Sequence, residues 1–409
     1  MDLVSRVSSV FWAEWFWLPR GYNWTTFTST PEKLYPDFYW IYFPIPFSLL
    51  LFLVRILFEK KICDPIGRSM GISERRTHPP VSNRALEKEY RKKKKAPDGE
   101  QLKGLSKRTD LTTRQVESWF RQRKASETLS QLQKFSETGW RFFYYTAIFI
   151  YGLWAVSSKS WFYDTKECWR GYPLHAVDRD MWWYYMLELS FYWSLLISQF
   201  FDVRRKDFWQ MFTHHVTTIL LLTLSWMDNL VRMGSLVLII HDVADVFLEA
   251  AKLARYANKP KLCDAFFIVF AVVWIISRMF IYPYVVVYTA LFEACQTVAL
   301  EGINCFPAYY VFNALIICLQ VLHFIWTWYI VRIAVKSIRT GKTDDNRSDT
   351  EEEDEMDAGT DDAAQLGGGD SERRSPKAIG DLIKRPTHSH TVGDSASANG
   401  NTPRSTKSK

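Results

Sequence analysis

A chain of 409 residues with a net charge of +7, 16% aromatic and 23% charged side chains has a mean hydropathy of −0.15. That mean describes no part of it, because long apolar runs alternate with short charged loops and residues 343–409 hold almost no large apolar side chains. Its six cysteines form no C-x-x-C pair, which argues against a zinc ribbon or a dense disulfide framework.

Residues 1–37 lack the charged, short-apolar and small-residue pattern of a cleaved signal peptide. The first apolar run, 38–58, therefore reads as a signal anchor. Asn23-Trp24-Thr25 is a glycosylation sequon, used only if this end is lumenal. Residues 71–128 are polar and read as short helices. Thr112 is the expected N-cap of the last one, with Gln115 three residues on completing a capping box. The stretch Leu105 to Lys124 resembles the second and third helices of a homeodomain. Leu105, Leu111, Val116, Trp119 and Phe120 fall at its core positions. Against DNA recognition, Gln122 stands where that fold reads adenine with Asn, and His78-Pro-Pro80 interrupts the region of the first helix. The basic charge of Arg121 to Lys124 suits anionic lipid headgroups as well as nucleic acid, so the segment reads as a membrane-surface or interaction module.

Windows of about 20 mainly apolar residues mark seven spans: 38–58, 140–159, 181–201, 209–226, 231–251, 265–289 and 306–334. The fold class is thus an all-α polytopic membrane protein. The fourth and fifth spans, separated by a few residues around Asp228 and Asn229, read as a tight helical hairpin. Basic clusters at Arg91 to Lys95, Arg204 to Lys206, Lys252 to Lys261 and Arg332 to Arg339 all fall on one side. This makes the N-terminus lumenal and the C-terminus cytosolic. Cys168, Cys295 and Cys305 are then lumenal; a Cys295–Cys305 disulfide and two unpaired thiols both remain open. The tail, 343–409, has too little apolar surface to offset ordering and reads as disordered. Ser348, just before the acidic run Asp349 to Glu355, fits an acid-directed kinase site; a merely solubilising tail is the alternative.

Ionisable residues within spans are costly, so function is sought there first. The fourth span carries His214 and His215, and the fifth carries His241, Asp242, Asp245 and Glu249. On a helix Asp242, Asp245 and Glu249 share one stripe. Counted from the same side, the His pair and the Asp pair lie at one depth, roughly 10 Å in at 1.5 Å per residue. Given suitable rotation, this puts a base beside its orienting carboxylates. Interhelical hydrogen bonding alone explains one such residue better than four at matched depth. One His pair with isolated His241 and His323 falls short of the several His-rich boxes of membrane di-iron enzymes, so no metal is expected. Arg278, midway along the sixth span, is a buried cation that needs a partner, for which Glu188 is a candidate.

At these residues the sequence resembles the ceramide synthases. The resemblance is carried by Asp202 to Phe208, His214-His215, His241-Asp242 and Asp245 to Leu253. Trp161 to Asp164, Gly171 to Pro173 and Glu188 to Ser194 add to it. It implies a TLC-type catalytic domain over 130–335, in which spans two to seven surround an acyl cavity in the endoplasmic reticulum membrane. It implies transfer of an acyl group from acyl-CoA to the amine of a sphingoid base, with His214, His215, Asp242 and Asp245 as the functional residues and no cofactor. Either acid–base catalysis or an acyl-imidazole intermediate fits. Arg204, Arg205 and Lys206 would take the CoA phosphates, and the lumenal loop before the last span, around Ala290–Cys305, would help to set chain length. A homo- or hetero-dimer with related synthases stays open. So do a non-catalytic TLC-type lipid sensor or translocon accessory, and an added role as a membrane-tethered transcription regulator.

Overall fold

The computed structural model describes residues 9–31, 33–74, 78–93, 97–127, 129–201, 207–303 and 305–340. The chain divides at Glu351 into two units; the second lies outside the described residues, as do Ser348, Arg204, Arg205 and Lys206 of the first. Every regular element among the described residues is helical.

The first long helix, α1, runs Phe38–Ser69. Three short helices follow: α2 (Arg84–Lys93), α3 (Gly99–Thr109) and α4 (Thr113–Glu127). Their core is Leu86, Tyr90, Leu102, Leu105, Val116, Trp119 and Phe120, with Leu111 packed against it. Four of the five core residues expected from sequence are thus buried and the fifth lies alongside. The capping box forms as expected: Gln115 N–H donates to Thr112 Oγ1 (3.3 Å), and Thr112 N–H donates to Gln115 Oε1 (2.8 Å). One expectation is corrected. The first helix is present, because His78-Pro-Pro80 lies ahead of Asn83, whose side chain accepts from the N–H groups of Ala85 and Leu86.

The remaining long helices are α5 (Gln131–Ser157), α6 (Arg179–Phe201), α7 (Phe208–Met227), α8 (Val231–Tyr256), α9 (Pro260–Leu300) and α10 (Ala308–Thr340). Each coincides with an apolar window read from the sequence. Three helices, α1, α9 and α10, are long and apolar enough to cross a membrane by length and composition. Of the other four, α6, α7 and α8 carry Glu188, His215, Asp242 and Glu249 buried within them.

Two features position the site. Within α9, Ile275–Glu293 winds as a π-helix with Pro283 inside. Wider winding accommodates a residue that has no N–H to donate. The same helix runs on to Leu300, so most of the segment Ala290–Cys305, read as a loop, is helix; a turn at Gly302 (φ +79°) ends it, and a disulfide joins Cys295 to Cys305. The second feature is the α7–α8 pair. The turn between them is short, with Asn229 at φ +54°, but the helices diverge. Helix α8 packs chiefly along α5 and α9 and only sparingly along α7. The tight hairpin expected from the sequence is therefore tight at its turn and open along its length.

Candidate active site

Between the diverging helices lies an apolar cavity. Helix α7 contributes Thr218, Leu221, Leu222 and Ser225, and α8 contributes Met233, Gly234, Val237, Leu238 and His241; α9 and α10 close it with residues such as Ala294, Val298, Phe312 and Ile316. The wall is overwhelmingly apolar. At one end stands His241; at the other are the α7–α8 turn, the Cys295–Cys305 segment and the loop that follows α5.

His215 Nδ1 bonds Gln199 Oε1 at 2.9 Å, and Gln199 Nε2 donates to Phe208 O at 2.8 Å. Since the amide nitrogen is already a donor, Oε1 must accept, so Nδ1 carries the hydrogen and Nε2 keeps its lone pair. His214 sits against Trp326 (ring centroids 5.3 Å) and stacks on His241 at 6.4 Å, interplanar angle 22°. Its Nδ1 has no hydrogen-bond partner.

His241, on the cavity wall, bonds Val237 O through Nδ1 (2.6 Å) and His323 Nε2 through Nε2 (3.0 Å). A carbonyl only accepts, so in the neutral rings His241 donates from Nδ1, accepts at Nε2 from His323, and leaves His323 Nδ1 with a free lone pair. Sequence reading took these two histidines as isolated; they form one relay. Tyr282 packs edge-on to both rings, at 5.3 Å and 4.8 Å.

Asp242 is fully buried, and its Oδ2 accepts from Tyr184 OH at 3.2 Å. Tyr184 reaches it because Gly152 on α5 offers no Cβ; one there would lie 2.5 Å from the Tyr184 ring. Glu188, also fully buried, lies within electrostatic reach of Asp242. Neither of its oxygens has a hydrogen-bond partner, so it is not the partner of Arg278. That guanidinium donates to the carbonyls of Ile240 and His241, the latter at 2.7 Å, and lies over Trp274 at 4.9 Å. Asp245 is within electrostatic reach of Arg278 and Tyr145. Glu249, third on the acidic stripe, is an ion-pair residue, bonded to Arg141 (3.2 Å) and Lys252 (2.6 Å).

The structure thus groups His214 and His215 with His241 and Trp326, and Asp242 with Tyr184 and Glu188. Tyr192 stands between the groups, its ring 6.1 Å from His214 and 6.4 Å from His215, within electrostatic reach of Asp242 and Asp245. Gln199, Tyr184, Tyr192 and His323 were not singled out as site residues; a Gln or Tyr on a buried helix face was the available signal. Among the described residues, no group of three or more His, Cys, Asp or Glu is placed to hold a metal ion. Asn23 is exposed, its Oδ1 accepting from the hydroxyls of Thr25 and Thr26.

A family model described as TLC domain matches residues 134–332, and one described as Homeodomain matches residues 73–127. Among curated proteins, ceramide synthase 5 of Mus musculus is 42% identical over 83% of this chain and 81% of its own length. Ceramide synthase 3 of Homo sapiens is 38% identical over 84% and 88%, and ceramide synthase 4 of Bos taurus 34% identical over 97% of each. With relatives this similar over most of its length, the chain belongs to the ceramide synthase family, and it is an acyltransferase.

Proposed function

We propose that the chain transfers a fatty acyl group from acyl-CoA to the amine of a sphingoid base, with the acyl chain held in the cavity between α7 and α8. One observation carries this reading: a long apolar cavity has a histidine relay at one end. A thioester is already activated, so the task is to deliver a neutral amine and protonate the departing thiolate. In one route the amine nitrogen attacks the thioester carbon, the C–S bond breaks, and an imidazole moves the amine proton to the CoA sulfur. In the other, His214 or His215 Nε2 attacks the thioester carbon and the CoA thiolate leaves; the amine nitrogen then attacks the acyl carbon, the C–N bond to the imidazole breaks, and the amine proton passes to the thiolate. His215, with Nδ1–H tied to Gln199, is oriented with Nε2 as base or nucleophile. Asp242 acts through Tyr184, with Asp245 beside it within electrostatic reach of Tyr192 and Arg278. No cofactor or metal enters either route. Arg204, Arg205 and Lys206 take the CoA phosphates, and Ala290–Cys305, at the far end of the cavity, bears on chain length.

The same reading takes seven spans in the endoplasmic reticulum membrane, a lumenal N-terminus glycosylated at Asn23, and a cytosolic tail phosphorylated at Ser348. Nucleic acid is not a partner. Gln122 is bonded to His78 O (3.2 Å), and Arg123 is engaged by Glu87 and Glu127, so two side chains of the would-be recognition helix are occupied internally. The test is to incubate purified protein with acyl-CoAs of graded length and a sphingoid base and identify the amide by mass. Absence of amide at every length would refute the reading.

A further inference from the structure

Threonine hydroxyls within long helices tend to turn back onto their own backbone. Thr146, Thr289 and Thr327 do so, each donating to the carbonyl four residues earlier at 2.7, 2.5 and 2.7 Å. Thr218 on α7 does not. Its Oγ1 has no hydrogen-bond partner, although the residue is only 8% exposed and stands on the cavity wall. Its place on the helix decides what it faces. At 100° per residue Thr218 projects about 40° from His214 and about 60° from His215, between the two and about one turn further along α7.

A second unpaired donor lies against the same histidines. Trp326 on α10 is 6% exposed, and its Nε1 also lacks a partner. Its ring meets His214 edge to face, the centroids 5.3 Å apart at 83°. Trp274, packed beside it at 6.2 Å, by contrast donates its Nε1–H to Thr327 Oγ1 at 2.9 Å. His214 Nδ1 is not the missing acceptor, since it too is without a partner. Leaving a buried O–H or N–H unpaired costs free energy. Two such donors beside one histidine pair call for an acceptor that arrives with the substrate.

The reaction supplies one. When the amine nitrogen, or a histidine Nε2, adds to the thioester carbon, the carbonyl π pair moves onto oxygen. That oxyanion lasts until the C=O bond re-forms and the C–S bond breaks. Donors already fixed in a dry site stabilise it without reorganising. We propose that Thr218 Oγ1–H and Trp326 Nε1–H form the oxyanion site, donating to the thioester oxygen while its carbon is attacked beside the histidine pair. Neither side chain gives up its proton. This rests on the reading of the site as the centre of acyl transfer from acyl-CoA.

The test uses full-length purified protein, a long-chain acyl-CoA and a sphingoid base. Thr218→Val keeps the shape and removes the hydroxyl; Trp326→Phe keeps a ring against His214 and removes the N–H. Each should lower kcat about 100-fold, the scale for loss of one oxyanion donor, while Thr218→Ser stays within a few-fold of wild type. A long-chain S-alkyl-CoA, a thioether that lacks the carbonyl oxygen, should bind wild type and both variants with the same dissociation constant. That readout separates a lost donor from lost packing or folding. Near wild-type kcat in either variant overturns the two-donor site and leaves ordered water as the partner of these groups. Thioether affinity that falls in step with kcat overturns it as well, as does Thr218→Ser no faster than Thr218→Val. Wild-type protein that forms no amide overturns the parent reading instead, and is seen separately.

Discussion

In the three-helix unit, Arg123 lies between Glu87 (3.0 Å) and Glu127 (3.1 Å), over the ring of Tyr90. Its hydrogen bond holds the Glu87 carboxyl below its usual range. In the bundle, Arg278 is 2% exposed and bonds to backbone carbonyls of α8. The unit keeps a small apolar core and places charge outside, where water screens it and ion pairs contribute little. The bundle inverts this: Leu53, Ile268, Phe280, Val321 and Phe324 are exposed, while Glu188, His323 and Asp242 are fully buried. Polar groups inside an apolar-surfaced bundle cost free energy unless they are bonded or used. The difference separates a part with its charge in water from a part with its polar groups inside an apolar shell, and each should be breakable without the other.

The largest expected effect falls on the histidines. His214→Ala and His215→Ala should each lower turnover by at least about 100-fold, the scale of a positioned acid–base group, with expression and membrane insertion retained. If an acyl-enzyme forms, protein given acyl-CoA without amine gains one acyl mass, and replacing the acylated histidine removes the gain. A folded double variant that still makes amide at near wild-type rate would move the chemistry out of this bundle.

Next comes the carboxylate side. Asp242→Asn should lower kcat by more than about tenfold, and Tyr184→Phe by less, since it removes one hydrogen bond and leaves the charge. Steady-state kinetics separates the two cases. Equal losses would mean that the Tyr184 contact, not the carboxylate, is what the reaction uses.

The three-helix unit should respond in the opposite sense. Trp119→Ala removes a core side chain at a cost of about 3–5 kcal/mol, enough to unfold a small unit, yet acyl transfer should persist because no residue placed in the proposed site lies within 84–127. Limited proteolysis within 84–127 reports the unfolding, and the amide assay reports the chemistry. Loss of both together would show that the two parts are coupled.

What the sequence could and could not tell follows the same division. Hydropathy located every long helix, since an apolar run of that length has few other fates. Residue spacing gave the Thr112–Gln115 cap and the core of α4. Helix α2 was missed: RALEKEYRKK has only Leu86 and Tyr90 as its apolar stripe, too little periodicity to outweigh the prolines before it. Depth counting put the four proposed residues in one layer, but depth carries no rotation. That α7 and α8 splay, that Gln199 rather than Asp242 meets His215, and that His241 bonds His323 are consequences of packing against α5, α6, α9 and α10. No local pattern encodes them.

The smallest expected effect lies in the loop between α5 and α6, which behaves like the interior of a soluble protein. His175 is buried, with Nε2 bonded to Arg170 O (2.8 Å). Burial, together with the nearby Arg232 guanidinium, lowers its pKa to about 4. Its own carbonyl accepts from Asn229 Nδ2 at 2.8 Å, so this loop clasps the α7–α8 turn. The unfolded chain takes up a proton below the ordinary histidine value near 6.5, while the folded chain resists it down to about 4. Between those values the unfolded state binds more protons, and stability falls as pH falls. The contribution is complete above about pH 6.5 and declines by roughly 1 kcal/mol between pH 6.5 and 5.5. His175→Gln cannot titrate, so the gap between wild-type and variant melting temperatures should change by a few degrees or less across that interval, with the wild type losing more. Other titrating groups are common to both proteins and cancel in the comparison. Parallel melting curves from pH 7 to 5 would show that the loop opens and hydrates before the fold does, and that its clasp on the α7–α8 turn is not what holds the cavity end closed.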